Sequence, residues 1–287
     1  MSVCPKTTDL AAVRAALPKR PEAANKATFG RVLLICGSDD MRGCAALAVL
    51  GALRCGAGLV TLASTRAVID TVSAAVFEAT YLDRETGDLF AAAEKANAVG
   101  YGCGLGRGAA VGETLARLLR TPGAPLVIDA DGLNALAADP AVLKSAARPV
   151  VLTPHPLEFS RLCGHPVADI QAGRAAAAVE FAKAYFNPAY GGVLLLKGAG
   201  TIVTDGETVL ENPTGSTALS KGGTGDTLCG MICAFLAEGA RPLDAAMIAA
   251  YVHGLAGERA AGIYSDYGVL ASDVAAFAAR VLREITK

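Results

Sequence analysis

The amino-acid sequence predicts a three-layer α/β domain, with a mostly parallel central sheet and helices on both faces. Three observations lead there. Short, continuous apolar runs rich in Val, Ile and Leu recur along the chain, as strands buried on both faces require. Longer stretches of helical periodicity separate them, the alternation of a parallel sheet and its crossover helices. Glycines and acidic residues punctuate the strand exits. With 287 residues, 53% hydrophobic and 18% charged, the chain can bury a large core and is too apolar to be disordered.

In chain order, residues 1–28, with Pro18 and Pro21, are expected to form a short helix and an arm laid on a single domain over 29–287. "RVLLICG" (31–37) reads as a buried strand, and "GCAALAVLGALRCGAG" (43–58) as a helix with a glycine-rich exit. Further strands are expected at 59–64, 97–102, 125–131, 149–154 and 192–198, with helical patterns at 111–120 and 168–186 between them. "GTIVTDGETVLEN" (200–212) differs: two short runs flank Asp205-Gly206, a hairpin signal. From Gly225 onward the pattern is helical, over about 226–238, 243–261 and 271–284. No repeat, low-complexity block or linker divides the chain.

Composition excludes several function classes. Lys and Arg number 26 and Asp and Glu 27, a net charge of −1, so no nucleic-acid or membrane-surface partner is expected from bulk electrostatics. No apolar run approaches the roughly 18 residues of a membrane span. The N-terminus lacks the apolar core of a signal peptide, which gives a cytoplasmic reading. Aromatics are 5% and Trp is absent, so the core is expected to be Ala, Val and Leu with backbones in close approach. The eight cysteines show no CxxC and no zinc-type spacing. They read as small buried hydrophobes of a reducing compartment.

In open α/β sheets ligands bind beyond the carboxyl ends of the strands, and the polar residues cluster there. They are 37–40, 102–106, Asp129 and Asp131, "TPHPLE" (153–158) and Lys197-Gly198. The chain has no GxxxxGK[ST], and "GYGCGLGRG" does not complete GxGxxG, so neither a P-loop nor a dinucleotide fingerprint is present. The sharpest motif is "KGGTGDTLCG" (221–230). Gly222, Gly223, Thr224 and Gly225 permit a turn of successive N–H groups at a helix start, which is an anion nest. Asp226 follows in the first helical turn. It is either an acid placed there by the helix dipole or a general base beside a phosphate, taking a proton from an attacking hydroxyl. His155, pinned between two prolines, and Glu158 are candidates for a polar ligand and, through water, for Mg²⁺. Lys197, ahead of Gly198, Ala199, Gly200 and Thr201, is either a solvated hairpin entry or a nucleotide edge. His165 and His253 read as structural.

Taken together, "ALRCGAGLVTLAS" (52–64), "GCGLGRG" (102–108), "VIDADGLNAL" (127–136), "TPHPLEFSRLCG" (153–164), "LLKGAGTIV" (195–203) and "GGTGDTLCG" (222–230) resemble the ADP/ATP-dependent NAD(P)H-hydrate dehydratases of the ribokinase-like superfamily. The resemblance implies a ribokinase-like fold and an enzyme that removes water from hydrated NADH or NADPH with ADP or ATP and Mg²⁺. Asp226 would activate the hydrate hydroxyl for attack on the terminal phosphate, and the ring nitrogen would then expel phosphate. By the same analogy Gly43, Cys44, Gly104 and His155 contact the hydrate, with Asp226 at the reacting hydroxyl. Lys197, Gly198, Ala199, Gly200, Thr201, Gly222, Gly223, Thr224 and Gly225 contact the nucleotide. A homo-oligomer, a tetramer by resemblance, and a separate epimerase are also implied. The family's Tyr-x-Gly-Ala is Met41-Arg42-Gly43-Cys44 here, and its Gly-Pro-Gly-Leu-Gly carries Cys103. A kinase for a small alcohol, such as a vitamin precursor or sugar, and a non-catalytic nucleotide-binding regulator remain as alternatives.

Overall fold

The computed structural model describes residues 3–287. The chain opens with β1 (Lys6–Thr7) and α1 (Leu10–Ala16), then runs through β2 (Arg31–Ile35), α2 (Arg42–Arg54), β3 (Leu59–Ser64), α3 (Arg66–Ser73), β4 (Thr80–Asp83) and α4 (Leu89–Glu94). It continues with β5 (Ala98–Tyr101), α5 (Ala109–Arg120), β6 (Leu126–Ile128), α6 (Asp131–Leu136), β7 (Val150–Leu152), α7 (Pro156–Cys163), α8 (Val167–Ala172) and α9 (Arg174–Tyr185). The last part is β8 (Gly192–Leu196), β9 (Thr201–Thr204), β10 (Val209–Asn212), α10 (Thr224–Ala237), α11 (Pro242–Gly268) and α12 (Ala271–Ile285).

Among the described residues ten strands form one sheet in the order β1-β10-β9-β8-β7-β6-β5-β2-β3-β4. Every pairing is parallel except those of β9, which runs antiparallel to both β8 and β10. This is the expected three-layer α/β domain. Alternation within each strand sorts its side chains to the two faces. Val32 and Leu34 of β2 pack with α2, α10, α11 and α12. Leu33 and Ile35 face the other way, toward Leu115 of α5, Phe159 of α7 and Phe181 of α9.

The expected close approach of backbones occurs where α2 crosses α10. A Cβ on Gly51 would lie 2.3 Å from the Thr227 carbonyl oxygen, and one on Gly230 would lie 1.9 Å from that of Ala48. Only glycine fits such a crossing, and it sets the position of the first turn of α10. Cys229 and Cys233 are buried there as expected, their sulfurs close to Gly100 of β5.

Some elements differ from expectation. The stretch 168–186 is two helices, because Gly173 leaves helical geometry (φ −146°, ψ 50°). The strand at 6–7 adds to the sheet edge against β10. It and β4 are too short to show a periodicity. Helix α11 runs past the expected 261 and is interrupted at Ser265 (φ 63°, ψ 163°). Among the described residues no helix is long and apolar enough to cross a membrane.

The chain leaves β2 toward β3 and β4 at one edge, then returns to place β5 on the other side of β2. The loops after β2 and β5 therefore diverge at a topological switch point, where open α/β sheets form their crevice. The two loops are tied there by Gly37 N–H donating to Cys103 O at 2.7 Å.

Candidate active site

The loop after β6 aims a carboxylate into this crevice. Asp129 is 1% exposed, and the next residue, Ala130, takes φ 49°, ψ −116°, a region that glycine favours. Such strain is held only where the surroundings over-determine it. It turns Asp129 toward Lys197, whose Nζ donates to Asp129 Oδ1 at 2.8 Å. Asp131 points elsewhere and accepts the Gly106 N–H at 2.8 Å, holding the loop after β5.

Lys197 ends β8, and its ammonium goes inward to Asp129 instead of outward with the 198–201 turn. Burial acts to lower its pKa, but Asp129 and Glu158 outweigh it and raise the net value. Glu158, with Oε2 at 4.0 Å from Lys197 Nζ, is also the acidic half of a capping box. Its Oε2 accepts the His155 N–H at 2.8 Å, and His155 Nδ1 accepts the N–H groups of Leu157 and Glu158. Burial pushes the Glu158 carboxyl up and Lys197 opposes that. His155 is thus fixed at the start of α7 and half-exposed, with Nε2 3.4 Å from Glu158 Oε1.

Asp226 lies in the first turn of α10, as expected. The turn before it is a left-handed Gly223 (φ 93°) with no side-chain cap on the helix. The first N–H groups of α10 are therefore left for a ligand. Burial, then the Asp129 carboxylate, raises the Asp226 pKa from 3.8 to about 6. Carboxyl oxygens of Asp226 and Asp129 and the sulfur of Cys103 lie within 4.8 Å of one another. A Cβ on Gly225 would come 3.2 Å from Lys197 Nζ and 3.6 Å from Asp129 Oδ2, so the glycine lets the turn close over this pair.

Seven of the nine residues expected at the nucleotide share one cavity of about 480 Å³. Lys197, Gly198, Ala199, Gly200, Thr201, Thr224 and Gly225 line it. Gly222 and Gly223 form the turn behind it and are not in its wall. Sequence reasoning missed the opposite wall, the 212–217 segment with Ala250, His253 and Gly254. His253, read as structural, is 8% exposed, and burial lowers its pKa to about 4. Its neutral ring donates from Nε2 to the Thr224 carbonyl at 2.9 Å, which fixes the glycine turn from behind. Arg174 of α9 was also missed. It donates to the Leu196 and Lys197 carbonyls at 2.9 and 3.2 Å and holds the end of β8.

On the other side of Asp226, Gly43 and Cys44 begin α2. Cys44 Sγ donates to Met41 O and, at 3.4 Å, to Cys103 O. A Cβ on Gly104 (φ 63°) would lie 2.1 Å from Cys44 Sγ. The 41–44 and 103–104 loops are thus packed together, which brings Cys44 against Cys103 and Gly104. A larger cavity of about 800 Å³ lies at the C-terminal ends of α2, α10 and α12 and holds none of the candidate residues.

The fold and crevice define an α/β domain whose ligand site lies at the topological switch point of the sheet. The same architecture occurs in a ribokinase-like superfamily protein of Enterococcus faecalis, at 24% identity over 98% of this chain and 96% of that one, with a TM-score of 0.84. The particular family is set by sequence: the NAD(P)H-hydrate dehydratase model matches residues 32–279, and the chain belongs to that family. It is 39% identical over 274 residues to the ADP-dependent (S)-NAD(P)H-hydrate dehydratase of Bacillus subtilis, covering 94% of this chain and 95% of that protein. A structure of the ADP/ATP-dependent enzyme from Bacillus subtilis, co-crystallized with ATP/Mg²⁺, superposes with a TM-score of 0.86 at 34% identity over 98% of each chain. The chain spans 53% of the bifunctional NAD(P)H-hydrate repair enzyme of Moorella thermoacetica, to which it is 38% identical.

Proposed function

We propose that this chain returns hydrated NADH or NADPH to the intact cofactor, using ADP or ATP to turn the hydrate hydroxyl into a leaving group. One observation carries the reading: in a chain of the dehydratase family, Asp226 directly follows Thr224 and Gly225 of the 480 Å³ cavity wall, and its carboxyl lies within 4.8 Å of the Asp129 and Cys103 donors. A carboxyl with a pKa of about 6 is ionised at neutral pH and basic enough to take a proton.

Asp226 accepts the hydroxyl proton as that oxygen attacks the terminal phosphorus of the nucleotide. The bond from phosphorus to the bridging oxygen breaks, and the shortened nucleotide leaves. The lone pair of the ring nitrogen then expels phosphate from the neighbouring carbon, and loss of a ring proton restores the double bond. Thr224 and Gly225, in the cavity wall, present N–H groups to the transferring phosphoryl, and Gly222 and Gly223 shape the turn that places them. Lys197, Gly198, Ala199, Gly200 and Thr201 bind the nucleotide, with the Lys197 ammonium shared with Asp129. Gly43, Cys44, Gly104 and His155 border the hydrate.

The donors present fit Mg²⁺, since Asp129, Glu158 and Asp226 offer hard carboxylate oxygens. Glu158 Oε2 is engaged by His155 N–H, so Glu158 would hold the ion through water. When bound, Mg²⁺ neutralises charge on the phosphates.

The reading includes an arm over 1–28 and a catalytic domain over 29–287. It also includes a cytoplasmic location, a homo-oligomer and a separate epimerase for the other hydrate. Ile263, Tyr267 and Leu270, exposed at 62%, 94% and 59%, give an assembly an apolar contact. The test is incubation with hydrated NADPH and ADP or ATP. Recovery of reduced-nicotinamide absorbance with release of phosphate supports the dehydratase. Accumulation of a stable phosphorylated alcohol without that recovery refutes it in favour of a small-alcohol kinase.

A further inference from the structure

We propose that Cys103 Sγ, Asp129 Oδ2 and an Asp226 carboxyl oxygen form a binding site for a thiophilic divalent cation of the zinc class, which would occupy the catalytic carboxylate and stop turnover. Spacing along the chain gives no hint of it, because the three donors come from the loops after β5 and β6 and from the first turn of α10. The fold brings them within 4.8 Å of one another, with Cys103 and Asp129 buried. Cys103 Sγ and Asp129 Oδ2 are 3.8 Å apart. Two ligands of a tetrahedral zinc, at about 2.3 Å for sulfur and about 2.1 Å for oxygen, stand roughly 3.6 Å apart. That pair needs little movement, and the Asp226 carboxyl must close in from within 4.8 Å.

Charge favours the cation. Lys197 donates to Asp129 Oδ1, and Oδ2 accepts only the Cys103 thiol, a contact that a bound metal would replace. Asp129 and Asp226 together place two carboxylates beside that one ammonium. Binding is balanced as M²⁺ plus the Cys103 thiol giving thiolate-bound M²⁺ and a proton released to solvent. A metal deprotonates a coordinating thiol outright. The thiolate also sets the selectivity: Mg²⁺ takes oxygen ligands, whereas sulfur selects zinc-like ions. Asp226 borders the open crevice and gives an entry path. Metal binding stands independently of the proposed dehydratase activity; only its inhibitory effect rests on Asp226 being the base.

The test uses the full chain, free of nucleotide and added thiol, in excess Mg²⁺, with Co²⁺ as a coloured substitute for zinc. The expected result is a near-ultraviolet thiolate-to-cobalt charge-transfer band that saturates at one equivalent and is displaced by Zn²⁺. Cys103→Ala and the near-isosteric Cys103→Ser should each lose the band, whereas Cys4→Ala and Cys163→Ala should keep it. Zn²⁺ should inhibit hydrate dehydration reversibly, with recovery on chelation. Each Cys103 variant, measured against its own metal-free rate, should need more than about tenfold more Zn²⁺, since even loss of an outer-sphere partner weakens metal sites by about 10–100-fold. No band in the wild type, or an unchanged band in both Cys103 variants, overturns the site. A Cys103-dependent band without inhibition upholds the site and refutes the role given to Asp226.

Discussion

Asp226→Asn should kill the enzyme and stabilise it. Raising a carboxyl from 3.8 to about 6 corresponds to about 3 kcal/mol held against the ionised form. The folded state binds the proton more tightly than the unfolded chain. The penalty is therefore small near pH 4, where the folded group is protonated, grows between 3.8 and about 6, and is complete above that. Asparagine keeps the shape and removes the charge. It also forfeits the attraction of a negative charge for a helix N-terminus, about 0.3–1 kcal/mol. The net gain at pH 8 is about 2 kcal/mol, or roughly 4 °C in melting temperature for a domain of this size. Near pH 4 the gain should fall below about 1 kcal/mol. Thermal melts of both proteins at the two pH values, without nucleotide, measure this. Turnover should drop by about 10²–10⁴-fold, with nucleotide binding retained by calorimetry. A variant that melts at or below the wild type at pH 8, or whose advantage is equal at both pH values, would refute the account of Asp226 as a carboxylate held ionised at a cost.

The same ionisation should give kcat/KM of the wild type an acidic limb with an apparent pKa near 6, rising with pH, and a limb near 4 would contradict it. Gly223→Ala forces a side chain into φ 93° with its Cβ 2.4 Å from Leu47 Cδ1. A loss of about 1–3 kcal/mol is expected in urea denaturation, with a raised KM for the nucleotide. Lys197→Met leaves Asp129 buried without its cation and should cost about 3–5 kcal/mol. Adding Asp129→Asn should return part of that, and strictly additive losses would show that the pair is not coupled.

The sequence carries the architecture in local signals. Apolar runs such as 31–37, 125–131 and 192–198 read as strands buried on both faces, and their alternation with helices argues for a mostly parallel sheet. Glycine density before Asp226 marks an anion-binding helix start, because only glycine reaches that backbone shape cheaply. The set of motifs from 52–64 to 222–230 was enough to reach the family. Tertiary structure alone decided how the charges are paired. Lys197 reads as a nucleotide contact, yet its ammonium meets Asp129, 68 positions earlier. Glu158 reads as a metal candidate and serves as a helix cap. His253 reads as structural, and only the fold shows what it supports, the Thr224 carbonyl of the glycine turn. Cys103, Asp129 and Asp226 show no common spacing, yet their donor atoms meet within 4.8 Å. Periodicity and turn chemistry act over a few residues, so they reveal which segments form. A side chain's partner depends on strand order, and the return of β5 to the far side of β2 is a property of the whole sheet.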